Sequence, residues 1–248
     1  MPAASVHEFV MVSFIFLLAG GVKGLLGMGL PTVAMGLLGL VMPVAEGAAL
    51  LFLPSLLTNL WQMARGGRLR ALAWRLWPMM AGVCAGVWAG HGWMAGPAGH
   101  ALRLLGLCLV AYALSGLAGW RLPRPAPRLE AAASVAVGGL TGLLTAATGV
   151  FVLPAVPYLQ ALGLEKDEMA QALGLSFTVS TLALAVNLAA SQHLNLVSAL
   201  QSLLVLLPAL VGMGLGQRLR DELSQEGFRR WLMWGLLVLG GWLVWQAP

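Results

Sequence analysis

Apolar residues dominate eight stretches of the chain, at 9–42, 46–63, 72–90, 101–120, 131–164, 168–190, 196–216 and 228–245. Six of them have the length of one membrane-crossing helix, about 20 residues. The first and fifth are 34 residues each, and as unbroken helices each would measure roughly 51 Å against a hydrocarbon core of about 30 Å. A tilt of up to ~40° does not absorb that excess. Both runs hold helix breakers near their middles, Gly27, Gly29 and Pro31 in one and Gly149, Pro154 and Pro157 in the other. Each is expected to form two shorter helices joined by a break inside the membrane.

The two halves of the chain match. Gly20-Gly21-Val22-Lys23-Gly24-Leu25-Leu26 recurs as Gly138-Gly139-Leu140-Thr141-Gly142-Leu143-Leu144, and Pro78 with Gly82 and Gly86 recurs as Pro208 with Gly212 and Gly216. Both matches keep the same order and fall in corresponding segments, which points to an internal duplication. The halves are read as 1–120 and 131–248, joined by a basic linker at 121–130.

Basic residues gather in three connections: Arg65, Arg68, Arg70 and Arg75; Arg121, Arg124 and Arg128; and Arg218, Arg220, Arg229 and Arg230. The connections at 91–100 and 191–195 have no Lys or Arg. If the basic connections share the cytoplasmic side, an even number of crossings separates the second from the third. Three segments lie between them, so the broken run 131–164 must return to its starting side as a hairpin. By the duplication, so must 9–42. The acidic residues Asp221, Glu222 and Glu226 beside the third cluster count little in this rule.

Each half then becomes a broken-helix hairpin plus three spanning helices, and the second half is inserted upside down. The expected fold is an all-α polytopic membrane protein of two inverted repeats, with eight to ten membrane segments and both termini away from the cytoplasm. Discontinuous helices meeting near the midplane are the architecture of secondary transporters.

Composition agrees with that picture. Hydrophobic residues are 59% of the chain and charged residues 9%, where a soluble domain has roughly 25% charged. The net charge of +5 reflects topology; a nucleic-acid footprint would need a dense basic face that no segment supplies. Cys84 and Cys108 sit inside apolar runs as small hydrophobes. Before Phe9 the chain has Glu8 and no basic residue, so the first run is not expected to be a cleaved signal peptide.

Among the basic residues, only Lys23 lies deep in an apolar run, and no ionisable residue within 9–42 can pair with it. An ammonium there costs at least about 3 kcal/mol unless it meets a cavity or a partner. It either snorkels or bonds carbonyls at the break, or it contacts a bound anion. The break at Gly27-Met28-Gly29 follows within two turns, where small residues let backbone approach a ligand. A half-helix starting at Leu30, with Pro31 in its first turn, would aim its amides and positive dipole end into the membrane.

The corresponding place in the second half carries Thr141, Thr145, Thr148 and Gly149, hydroxyl donors instead of a lysine. Donors without carboxylates suit an anion, although each threonine can equally bond its own helix. Polar residues Ser55, Thr58, Asn59 and Gln62 share one face of 46–63, and Ser176, Ser180 and Asn187 share a face of 168–190, with Thr178 and Thr181 alongside. Such stripes face the protein interior or a watery path; Asn59, Ser176 and Ser180 are the leading candidates. An intramembrane enzyme needs a nucleophile with a base, or metal ligands, at membrane depth. Here every histidine and acid lies near a segment end, and Ser176 lacks the second glycine of a serine-protease motif. Neither an enzyme nor a cofactor is expected. Trp61, Trp74, Trp77, Trp120, Trp231 and Trp245 are placed as interfacial anchors.

The stretch Gly20 to Pro31, with its degenerate copy at 138–154, resembles the glycine-rich signature of the TauE/SafE sulfite exporter family of bacterial membrane transporters. The resemblance extends over essentially the whole chain. It implies a multi-pass protein of the bacterial cytoplasmic membrane that exports sulfite or an organosulfonate, with Gly24, Gly27 and Gly29 matching the glycine pattern. The chain departs from a frequent glycine-rich continuation at Leu30-Pro31 and at Thr145-Ala146-Ala147-Thr148. The expected partners are a small anion and membrane lipid, a homodimer is compatible, and nucleic acid is excluded. The alternatives from other classes are a membrane chaperone or assembly factor without a solute path, and an anion channel.

Overall fold

The computed structural model describes residues 6–96, 99–120, 122–220 and 222–247; Arg121 and Asp221, counted above in two connections, lie outside them. Among the described residues the chain forms ten α-helices and no strand. They are α1 (Val6–Leu26), α2 (Leu30–Leu38), α3 (Val44–Ala64), α4 (Leu69–Ala89), α5 (His100–Leu117), α6 (Glu130–Thr148), α7 (Ala155–Ala161), α8 (Lys166–Ala190), α9 (Leu196–Leu219) and α10 (Gln225–Gln246). Six of them, α1, α3, α5, α6, α8 and α9, are long and apolar enough to cross a membrane. The helices α4 and α10 are as long, 21 and 22 residues, and carry Arg70 and Arg75, or Arg229 and Arg230, toward their starts. The protein is an all-α, multi-pass membrane protein.

Both long apolar runs are interrupted where their glycines and prolines stand. Gly27 and Gly29 take φ values of 75° and 103°, a left-handed backbone that disfavours side chains, and Gly27 N–H closes the last turn of α1 on Lys23 O at 2.8 Å. The helix α2 resumes with Pro31 in its first turn, where a missing N–H leaves nothing unpaired. In the second run Gly149, at φ 71°, ends α6 with its N–H on Thr145 O at 2.9 Å.

The second interrupted run folds back on itself, and the second part of the first run lies along α5. The Tyr158 hydroxyl of α7 shares a 2.7 Å hydrogen bond with Ser134 Oγ and donates to Glu130 O at 3.1 Å, so α7 lies beside the start of α6. In the first run Met28 meets Tyr112 of α5, and Gly36 and Gly39 lie against Leu109 and Leu105 of the same helix. With residue numbers falling on α5 as they rise on α2, the two are antiparallel.

The glycines matched between the halves are the two sides of two close helix crossings. A Cβ on Gly20 would stand 2.1 Å from Ala209 O, and one on Gly24 2.2 Å from Met213 O; Gly212 and Gly216 answer from α9 at 2.0 Å from Leu17 O and 2.1 Å from Gly21 O. The crossing of α4 with α6 repeats the arrangement. There Gly138 would meet Met79 O at 2.1 Å and Gly142 Val83 O at 2.2 Å, while Gly82 and Gly86 would meet Val135 O at 2.5 Å and Gly139 O at 2.1 Å. Backbones this close admit no side chain, and small residues serve this purpose between membrane helices.

At the centre α3 packs against α8. Pro54 interrupts α3 and leaves the carbonyl of Leu50 without its helical donor. Ser202 of α9 supplies one, Oγ to Leu50 O at 2.7 Å, and accepts from Leu53 N–H at 2.9 Å. One end of the molecule collects the basic connections: Arg68 pairs with Glu168 at 2.9 Å, Arg124 lies 3.6 Å from the Cβ position of Gly163, and Arg65, Lys166 and Arg220 border one depression. The outer surface leaves Leu200, Leu203, Leu204, Leu207 and Val211 of α9 exposed, as a lipid-facing helix does. The tryptophans expected as anchors are all exposed. Both cysteines are free thiols; Cys108 is buried as expected, but Cys84 faces outward.

Candidate functional site

Lys23 stands in the last turn of α1 and is only 3% exposed. Its Nζ donates to Oδ1 of Asn59 on α3. Asn59 passes the contact on, Nδ2 donating to Ser55 Oγ at 3.1 Å, and Ser55 Oγ shares a 3.1 Å bond with Thr181 Oγ1 of α8. Thr181 ends the chain of bonds on its own helix, at Phe177 O, 2.7 Å. Among the described residues the ion pairs are Arg68–Glu168 and Arg75–Glu130, and neither involves Lys23. A buried amine thus faces an amide oxygen and no carboxylate.

The break lies one turn beyond. A Cβ added to Gly27 would meet nothing within 4 Å, so this stretch of backbone is open; one on Gly29 would touch Val22 at 3.0 Å. No side chain caps α2, whose first closing bond is Val33 N–H to Gly29 O at 2.9 Å. The amides of Leu30 and Thr32 precede that bond and have no helical acceptor. Thr32, in the same first turn, is fully buried, and its Oγ1 has no hydrogen-bond partner. An uncapped helix start has spare amide donors and a positive dipole end, which favour negative charge.

The second break is furnished differently. Thr141, Thr145 and Thr148 are buried, and each hydroxyl donates to a carbonyl four residues back in α6, at 2.8, 2.7 and 2.7 Å. Their donor capacity is spent on the helix, which leaves only lone pairs for a ligand. Gly149 packs against Met35 and Ala48. Beyond it, Phe151 packs against Phe177 with ring centroids 5.0 Å apart and planes tilted by 56°, and borders a cavity of about 10 Å³ with Ser55 and Thr181, room for one water at most. Ser176 and Ser180 of α8 are fully buried, and neither hydroxyl has a partner.

Of the residues singled out in the sequence, Lys23 and Asn59 touch each other, with Gly27, Met28 and Gly29 immediately beyond. Gly24 lies elsewhere: its Cα is pressed against Met213 and Gln217 of α9, where it serves the crossing. Asn187, on the Ser176 and Ser180 stripe, donates to Val87 O of α4 at 2.9 Å and so ties two helices. Thr32 was not singled out, although a helix predicted to start at Leu30 places it in the donor-rich first turn. Nor was the role of Thr181, because the rotation of α8 about its axis depends on packing with α3.

The family model described as Sulfite exporter TauE/SafE matches residues 12–243, a span that includes both breaks, both glycine crossings and Lys23 with its partners. No curated protein and no solved structure matches the chain. With the match running through all ten helices, the chain belongs to the TauE/SafE sulfite exporter family of membrane transporters.

Proposed function

We propose that the protein is a secondary transporter that exports a small sulfur-containing oxyanion, sulfite or an organosulfonate, across the bacterial cytoplasmic membrane. The observation that carries this reading is Lys23, a buried amine at a membrane-embedded helix break with only Asn59 for a partner. A cation buried without a countercharge is unfavourable by several kcal/mol. A bound anion supplies that countercharge. The amides of Leu30 and Thr32 and the unpartnered hydroxyls of Thr32, Ser176 and Ser180 supply neutral donors for its remaining oxygens.

The fold supports alternating access. The halves 1–120 and 131–248 exchange partners, α1 lying along α9 as α6 lies along α4, and residue numbers rise together at both crossings. This exchange of partners, with α3 and α8 paired at the centre, is compatible with two repeats inserted with opposite orientations. The smooth glycine crossings are surfaces along which one repeat can move against the other.

The test is uptake of radiolabelled sulfite and sulfoacetate into proteoliposomes holding the purified chain. Saturable uptake, with counterflow when the lumen is preloaded, is the expected result. Uptake no faster than in empty liposomes for both anions would refute the reading, and uptake linear in concentration would make the protein a channel.

A further inference from the structure

At the end of the molecule where α3 and α9 finish and α8 and α10 begin, a depression of about 340 Å³ is lined by Arg65, Lys166, Gln217, Arg220 and Gln225, within the 300–1,000 Å³ span of small-ligand sites. Three cations and two amide side chains face it, and among the described residues no carboxylate does. Arg68 and Arg75, at the same end, are instead spent on Glu168 and Glu130. The Arg65 guanidinium lies 4.4 Å from the Trp61 ring, which holds it in place.

The depression is lined from the ends of helices that also carry or pack against the site proposed above. Arg65 follows Asn59 by six positions, about 9 Å of helix rise, and the backbone N of Gln217 lies 2.8 Å from the Cβ position of Gly24, next to Lys23. Its lining residues stand at helix ends, and Arg65, Lys166, Gln217 and Gln225 are exposed, so the depression opens to solvent at that end of the molecule. The opposite ends of the same four helices, at Val44, Ala190, Leu196 and Gln246, have no Lys or Arg. Retention of basic residues on one side accounts for that sign difference, but not for the gathering of three cations and two amide side chains around one depression.

We propose that this depression is a capture site at which Arg65, Lys166 and Arg220 bind a small oxyanion from solution before it passes to Lys23, an inference that rests on the transport reading above. The recognised group is a sulfonate, sulfite or similar oxyanion; a lipid phosphate offers the same chemistry, and the test separates the two. The chain in phosphatidylcholine nanodiscs, with and without cardiolipin, is titrated with sulfoacetate at low and high salt, and uptake is followed in parallel in proteoliposomes of the same lipids.

In the triple variant Arg65→Gln, Lys166→Gln, Arg220→Gln the half-saturation should rise about tenfold at low salt, with the maximal uptake rate kept, and the difference should shrink in 1 M salt. If the triple variant does not fold, Lys166→Gln and Arg220→Gln singly should each show about twofold. Sulfoacetate binding equal to wild type in the variants, no binding by the wild-type chain, or a defect seen only with cardiolipin would overturn the proposal. Binding lost in the variants, in a wild-type chain that binds but transports nothing, would uphold the capture site and remove the transport reading alone.

Discussion

The two helix breaks share a backbone design and differ in what stands on it. At the first, α1 ends in a buried lysine held by Asn59, and α2 begins uncapped, with Thr32 lacking any partner. At the second, α6 ends in threonines whose hydroxyls all donate to their own helix. Making a break needs only glycines in left-handed backbone and a proline near a helix start, and both runs have these. Holding charge needs one side chain with a suitable partner, and only the first run has it. The buried charge is therefore confined to one side of a scaffold whose packing is nearly balanced.

The largest effect should come from disturbing that balance. Gly24→Leu and Gly142→Leu occupy matching places in the two crossings, with carbonyl oxygens 2.2 Å from each Cβ position. Either should cost more than about 3 kcal/mol, since the neighbour that must move is backbone and not a flexible side chain. Loss of the monodisperse peak on size exclusion after detergent extraction reads this out. Equal loss in both variants would show the crossings to be equivalent, and tolerance of one would show that the balance is only apparent.

Next comes the contrast in chemistry. Lys23→Met keeps the length of the side chain and removes the charge, so anion affinity should fall by about 10- to 150-fold, the worth of one charged donor. Thr145→Val removes a hydroxyl already committed to Thr141 O and should change affinity by about twofold or less. Lys23→Arg, which retains charge, should fall between the two. The measurement is half-saturation for sulfite or sulfoacetate uptake at equal reconstituted protein. Wild-type kinetics in Lys23→Met would make the lysine structural, and a large loss in Thr145→Val would place the ligand at the second break.

Much of this arrangement is legible in the chain because its causes are local or compositional. Gly27, Gly29 and Pro31 announce the first break, and 34 apolar residues are too long for one span whatever packs around them. The expectation of hairpins rests on the placement of arginines, and Arg65 and Arg220, from two of the basic connections, border one depression together with Lys166. The glycine matches were legible as a repeat but not as contacts. That Gly24 serves a crossing, while Gly27 three residues on faces open space, depends on which side of α1 meets α9. The same limit explains why Thr181, not Ser176 or Ser180, completes the bonds from Lys23. Ser202 carries no signal at all: its role arises only when a serine on α9 falls opposite the carbonyl that Pro54 leaves unpaired.

The smallest predicted effect tests how the two hairpins are held. The return of α7 is clamped by polar bonds, since Tyr158 reaches both Ser134 and Glu130 O, and Glu130 is itself held by Arg75 through two bonds of 2.6 and 2.9 Å. The return of α2 is held by apolar packing of Leu30, Met35 and Leu38, all buried. Tyr158→Phe removes the hydroxyl and leaves the ring in place, at a cost of about 1 kcal/mol. Hydrogen exchange should speed up in α7 by roughly fivefold, the factor that energy implies when exchange follows local opening, while α2 stays at its wild-type rate. Sulfite uptake should keep its half-saturation, because Tyr158 lies at the foot of the second hairpin and away from Lys23. Equal acceleration in α2 would mean that the hairpins open as one unit across the α3–α8 centre. The difference in their clamps would then matter less than the Lys23–Asn59–Ser55–Thr181 bonds that join the two halves.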